Sequence, residues 1–195
     1  MNYSLPLFFS LFFISILTAQ TEPSKIIVAE RISNPPKIDG ILDDAVWQTL
    51  PIHTDFNMLQ PSNEGKAPKT HRTILKMAYD NSAVYFAAYM YDDNPSSIRR
   101  QFSQRDEINV QADVISIALN TYNDSINETR FYITSAGTIG DSKVSQNRQD
   151  FSYDVVFDAK ATINDRGWFA EFKIPYNALR FPEEDIQDWS LNMYR

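Results

Sequence analysis

Strict two-residue alternation limits what this chain can fold into more than any other feature. Trp168, Ala170, Phe172 and Ile174 fall on one side of an extended chain, and Phe169, Glu171 and Lys173 on the other. The same period recurs over Val114–Leu119, with Ile115, Ile117 and Leu119 on one face, and where Trp189, Leu191 and Met193 alternate with Ser190, Asn192 and Tyr194. Turn formers separate such runs. Thr73–Tyr79 and Ala83–Tyr91 flank Asp80-Asn81-Ser82, and 155–163 and 168–174 flank Asn164-Asp165-Arg166-Gly167, so both pairs read as hairpins. A strand over Thr129–Ser135 follows the turn Tyr122-Asn123-Asp124, and Ile26-Ile27-Val28 marks a first strand over Lys25–Ile32. Thr54–Thr70 carries Pro61, Gly65 and Pro68 and reads as a loop, while 95–104 and 175–180 read as short helical turns. With no strand–helix–strand unit and no internal repeat, the pattern predicts an all-β antiparallel β-sandwich in a single domain.

One block ahead of these strands is built differently. Pro35-Pro36-Lys37-Ile38-Asp39-Gly40-Ile41-Leu42-Asp43-Asp44-Ala45-Val46-Trp47 places a tight turn at Asp39-Gly40. Asp43 and Asp44 then stand where a short helix takes a side-chain cap and negative charge. Trp47 follows Asp43 by one helical turn and predicts an anchor onto a sheet. All three tryptophans read as core residues: Trp47 pins the opening turn, and Trp168 and Trp189 begin core-facing alternations.

Met1–Gln20 contain no charged side chain, and an apolar run over Leu5–Leu17 precedes Thr18-Ala19-Gln20. These are the length and flanks of a secretory signal peptide lacking its usual basic start, and the run is short for a bilayer span. The expected organisation is a signal peptide over 1–20 and a β-sandwich domain over 21–195. The alternation at 189–194 runs to Arg195 without a closing turn, so the reading is of a domain cut short at its carboxy-terminal end. There is no cysteine, which excludes thiolate metal sites and a lipoprotein anchor and leaves stability to burial. A net charge of −7 disfavours nucleic acid and anionic membranes as partners and is neutral towards uncharged sugars.

The opening block also carries a resemblance. PPKIDGILDDAVWQTLP is similar to the start of the family 9 carbohydrate-binding modules. The likeness continues through YDNSAVYFAAYMYDDNPSSI, QRDE, DVISIALNTYND, FYITSAGTIGD, FSYDVVFDAKATINDRGWFAEFKIPYNALRFP and WSLNMYR. It most resembles the form of the domain found at the amino terminus of Bacteroidetes-type envelope proteins, ahead of a large domain of unknown function. The resemblance implies a jelly-roll-like sandwich with short helical turns. It also implies an exported protein of the periplasm, the cell surface and outer membrane, or the extracellular space, whose chain continues beyond Arg195 either with further sandwich strands or with a whole carboxy-terminal, membrane-associated domain.

The resemblance says where a sugar site belongs. Those modules carry a Trp just before the D-x-V-x-I-type strand, a carboxylate within it and an Arg after the Phe of the next strand. The matching positions here hold Val110, Ser116 and Tyr132, so plate, carboxylate and guanidinium are all replaced. With Arg105-Asp106-Glu107 just upstream, the carbohydrate-binding set expected is Arg105, Asp106, Ser116 and Tyr132. Tyr122, Tyr153 and Tyr176 are further amphipathic rings. An ordinary structural reading stands beside this one: Arg105 and Asp106 as a pair that fixes a loop, and the tyrosines as half-buried strand residues.

Relatives carry structural calcium, and Asp92-Asp93-Asn94, Asp106-Glu107 and Asp141 supply the oxygen ligands a hard cation takes. No stretch matches an EF-hand loop, so calcium stays open and no other cofactor is expected. His53 and His71 alone make zinc a poor fit. No catalytic residue can be named, because acids are plentiful, no pair of them stands out, and no Ser-His-Asp pattern is present. The first functional reading is a monomeric, non-catalytic module that binds polysaccharide or oligosaccharide, with any hydrolase activity residing in attached domains. The alternative is a structural or interaction front end of an outer-membrane protein with no sugar ligand.

Overall fold

The computed structural model describes residues 25–60, 65–146 and 148–195; the expected signal peptide over 1–20 and Pro61 of the loop lie outside the described residues. The strands are β1 (Glu30–Arg31), β2 (Thr73–Tyr79), β3 (Ala83–Tyr91), β4 (Val114–Asn120), β5 (Asn127–Thr134), β6 (Ile139–Ser145), β7 (Arg148–Asp150), β8 (Asp158–Asn164), β9 (Gly167–Pro175) and β10 (Ser190–Tyr194). One helix, α1 (Ala45–Thr49), and short 3-10 turns at Lys69–His71, Pro95–Ser97 and Tyr176–Ala178 complete the secondary structure. The strands form two sheets ordered β1-β2-β3-β9-β8 and β10-β4-β5-β6-β7. All neighbours are antiparallel except β1 and β2.

The alternating residues meet between the sheets. Phe86, Ala88 and Met90 of β3 and Trp168, Ala170, Phe172 and Ile174 of β9 face Ile115, Ile117 and Leu119 of β4 and Phe131 and Ile133 of β5. The hairpin at 80–82 is fixed by Asp80, whose Oδ1 accepts from the amides of Ser82 and Ala83 at 2.6 and 2.9 Å. Trp189 is the least buried tryptophan and packs on Phe181, ring centroids 5.4 Å apart.

A second, smaller core lies on the outside of the first sheet. There Trp47 and Leu50 cover Ala78, Ala83, Tyr85 and Ala87. Glu171 sits on the same outer face, fully buried. Its Oε1 accepts from the Trp47 indole at 2.7 Å, and its Oε2 accepts from the amides of Gly40 at 2.8 Å and Asp39 at 3.2 Å. Gly40 has φ +84°, and a Cβ there would lie 2.8 Å from Thr162 Oγ1, so both the turn and the close approach require glycine. From the other side the buried Lys76 ammonium donates to the Trp47 carbonyl.

Some expectations need correction. The first strand shrinks from Lys25–Ile32 to Glu30–Arg31, because only those residues pair with β2; Ile26 and Val28 stay 87% and 78% exposed. Asp44 occupies the cap position of α1 but makes no side-chain bond to the helix, since its carboxylate accepts from the Lys37 amide at 3.2 Å. Glu171, which alternates to the side opposite Trp168, is not solvent-exposed but buried under the opening block. Strand β8 starts at Asp158 rather than residue 155, because the chain before it crosses between the sheets. Strands β6 and β7 carry no hydrophobic alternation: Asp141 and Lys143 hold the core-side positions of β6, Asp141 buried and Lys143 at the exposed end of the sheet.

Glu171→Ala leaves the Trp47 indole and two amides without an acceptor and is expected to cost about 3 kcal/mol of unfolding free energy in urea titrations. Burial pushes the Glu171 carboxyl above its ordinary value. The folded protein therefore keeps a proton that the unfolded chain has released, and stability falls as pH rises from the ordinary glutamate value to the raised one. Denaturant midpoints of Glu171→Gln across that interval are expected to show a flatter slope than those of the parent chain.

Candidate functional site

The opening block covers the middle of the first sheet's outer face, whereas among the described residues no helix packs on the outer face of the second, the open face. Residues paired across antiparallel strands share a face. The row Tyr194–Ser116–Tyr132–Gly140 and the row Asn192–Ala118–Arg130–Ser142 therefore both point away from the core. A third row sets Glu128 beside Val144 and Gln149.

The floor of this face is a closed polar network. The Tyr132 hydroxyl lies 3.1 Å from Ser142 Oγ, and the Gln149 side-chain amide donates to both, 3.0 Å from Ser142. Ser116, Tyr132 and Ser142 are all buried. Arg130 pairs with Glu128, and its guanidinium stands 5.0 Å from the centre of the Tyr194 ring. Phe151 leans over Tyr132 with centroids 6.0 Å apart. Tyr194 and Phe151, 38% and 39% exposed, thus stand on this face, Tyr194 beside the Arg130–Glu128 pair and Phe151 beside Tyr132.

Arg105 and Asp106 sit elsewhere. Arg105 Nη2 lies 2.5 Å from Asp141 Oδ1 and 3.1 Å from Asp154 Oδ1, and donates to the Val155 carbonyl at 2.9 Å. Asp141 is fully buried on the core side of β6, where burial pushes its carboxyl up while the Val155 amide and Arg105 favour its charged form. These bonds close the flank of the sandwich where residues 151–157 cross from β7 to β8. Asp106 pairs with the uncovered edge of β6: its amide donates to the Ile139 carbonyl at 3.1 Å, and its Oδ1 accepts from the Asp141 amide at 3.0 Å. Gly140 permits this, since a Cβ there would meet Asp106 Cα and Oδ1 at 3.1 Å. Of the residues expected from sequence, Ser116 and Tyr132 come together on the open face and Asp106 reaches its rim beside Gly140. Arg105 turns towards the core side.

Arg130, Glu128, Tyr194 and Gln149 escaped the sequence reading. The first two were findable, because Glu128, Arg130 and Tyr132 share one face of an extended strand by their two-residue spacing.

Most of the oxygens considered for calcium have protein partners. Asp92 accepts from the Asn94 amide at 2.7 Å and lies 3.5 Å from His71 Nε2, while Asp106 and Asp141 are engaged as above. Among the described residues no group of three or more His, Cys, Asp or Glu side chains is placed to share a metal ion. Tyr176 donates to the Asp80 carbonyl at 3.0 Å, remote from the open face, and Tyr122 and Tyr153 line a separate cleft.

This architecture matches known proteins. The family model for carbohydrate family 9 binding domain-like sequences matches residues 38–192. The chain belongs to this family. The family 9-like domain is also similar to solved structures. One is a family 9 carbohydrate-binding module from Caldicellulosiruptor kristjanssonii in complex with cellotriose, with 16% identity, TM-score 0.57, and coverage of 84% of this chain and 75% of that one. The same organism's family 9 module in complex with glucose gives 15% identity and TM-score 0.55, covering 84% and 76%. A candidate carbohydrate-binding protein from Bacteroides uniformis gives 11% identity and TM-score 0.64, covering 85% and 81%. At such identities the likeness is one of fold. No curated protein sequence matches the chain.

Removing Arg105 leaves the buried Asp141 carboxylate without its cation. Because the guanidinium is itself 35% exposed, Arg105→Ala is expected to cost about 2–3 kcal/mol in stability, below the full penalty for a buried pair. A thermal melt beside a urea titration of the variant checks this.

Proposed function

We propose that this family 9-like domain is a non-catalytic module that binds neutral saccharide in the slot between Tyr194 and Phe151. The observation that carries the reading is the pair of part-exposed rings on the outer face of the second sheet, Tyr194 over the guanidinium of the Arg130–Glu128 pair and Phe151 over Tyr132. Exposed rings offer apolar faces to a pyranose, and Arg130 and Glu128 supply the donors and acceptor that read hydroxyls. Family membership and the fold shared with modules held in complex with cellotriose and glucose support the same reading. The charge-free, apolar amino terminus supports export, and hence a role in polysaccharide binding or degradation at the periplasm, cell surface or outside the cell.

A second reading draws on a specific observation. Ser116, Tyr132 and Ser142 are buried, and Gln149 already satisfies the Tyr132 and Ser142 hydroxyls, which favours a structural or interaction domain with no sugar ligand.

Calorimetry with cellotriose, xylo-oligosaccharides and glucose separates the two. Binding is expected between micromolar and millimolar, about −8 to −4 kcal/mol. Arg130→Ala and Tyr194→Ala should each weaken it about tenfold, roughly 1.4 kcal/mol. Silence across these sugars on a folded domain would select the second reading.

A further inference from the structure

A second cleft, of about 200 Å³, opens at the end of the sandwich between the turn that follows β4 and the segment that follows β9. Tyr122, Tyr153, Lys143, Arg180, Asn127 and Glu128 are among the residues that line it. Its walls are tied together. The Tyr153 hydroxyl donates to the Ala178 carbonyl at 3.1 Å, and the Thr121 hydroxyl donates to the Arg180 carbonyl, so the segment carrying Arg180 is held against the second sheet from both sides. Tyr153 is half-buried with the Lys143 ammonium 4.8 Å from its ring centre, and Tyr122 is 55% exposed at the mouth.

The charges here are unusual for this chain. Acids outnumber bases, giving −7 overall, yet Lys143 and Arg180 have no carboxylate within ion-pair distance among the described residues. The acids nearest in the fold are occupied. Glu128 pairs with Arg130, and Asp150, the cross-strand neighbour of Lys143, accepts from the Ser152 amide and hydroxyl at 2.9 and 2.7 Å. The cleft therefore presents two free cations beside two tyrosine rings. An isolated anion needs only the cations, whereas an acidic ring uses both: its carboxylate meets the cations and its apolar face lies on tyrosine. The volume admits one ring with the rest of a chain outside.

We infer that this cleft is a second saccharide subsite, which takes a sugar bearing a carboxylate, a uronate, with Lys143 and Arg180 on the carboxylate and Tyr122 and Tyr153 against the ring. The inference deepens the saccharide-binding reading and rests on it. The slot at Tyr194 and Phe151 reads neutral units, and this cleft adds preference for acidic ones.

Calorimetry or NMR titration of the domain with D-glucuronate, D-glucose and inorganic sulfate tests it. Glucuronate is expected to bind about tenfold or more tightly than glucose, with a preference that shrinks as salt rises. Lys143→Gln and Arg180→Gln should each abolish most of that preference, and Tyr194→Ala, which leaves the Arg130–Glu128 pair intact, should leave it in place while weakening glucose. Both substituted cations are solvent-exposed, so the variants are expected to melt with the parent. Equal affinity for glucuronate and glucose, or a preference that survives both Gln variants, would overturn the inference while leaving the neutral slot standing. Sulfate competing as well as glucuronate would overturn the saccharide assignment of the cleft. Glucose failing while glucuronate binds through Lys143 and Arg180 would keep this site and remove the neutral slot.

Discussion

The structure depends on one buried carboxylate. Glu171 lies in the middle of β9, with no side-chain cation among its hydrogen-bond partners. What stabilises it is a set of N–H donors from the opening block: the Trp47 indole and the amides of Asp39 and Gly40. Burying a charge this way is costly unless every acceptor position is used with good geometry. The interaction is therefore selective as well as stabilising, because only a turn that presents two amides and an indole at the right spacing fits. The sheet prepares the place. Lys76, Ala87 and Glu171 form one row across β2, β3 and β9, so a small residue makes room for the indole between a cation and an anion. Lys76 holds the Trp47 carbonyl and Glu171 the Trp47 ring, which fixes α1 at both its backbone and its side chain.

That closure decides where function can lie. A two-sheet sandwich has two outer faces, and the opening block uses one of them for packing. On the outside of β10-β4-β5-β6-β7 the cover is side chains alone: Gln149 and Phe151 lie over Tyr132, and Tyr194 lies over Arg130.

Much of the fold was legible because its signals are local. The alternations in β4, β9 and β10 place their core residues correctly, and the Asp80 turn and the Asp39-Gly40 turn carry their own side-chain chemistry. The parts that were not legible depend on contacts distant in sequence. Nothing near Glu171 announces that Gly40 will reach it across 131 positions, so its place opposite Trp168 in the alternation gives no sign of burial. Strand β6 buries Asp141 because Arg105 and the Val155 amide come to it from separate segments, and a polar residue at an inward position hides a strand. The site was half legible for a related reason. Register, which sequence alone does not give, brings Tyr194 and Gln149 to a face that Ser116 and Tyr132 had already marked.

Register also explains how the open face departs from the family pattern. Tyr132 stands where the pattern has a guanidinium, but Arg130 provides one two residues earlier on the same face of β5, displaced by about 6.8 Å along the strand. The carboxylate moves the same way: Ser116 lacks it, and Glu128 supplies it beside Arg130. Both displacements run towards the start of β5, away from Val110 and Asp106 and towards the turn at 121–126. A shift in that direction empties the centre of the face, where Tyr132 and Ser142 lock into each other beneath Gln149. It also carries the charged groups to the end of the sandwich, where Glu128 borders both the open slot and the cleft of Tyr122 and Tyr153. The two sites are thus contiguous through one residue. Lys143 belongs to the other side of β6, so the proposed slot and the proposed cleft meet at Glu128 from opposite sides of the sheet's end.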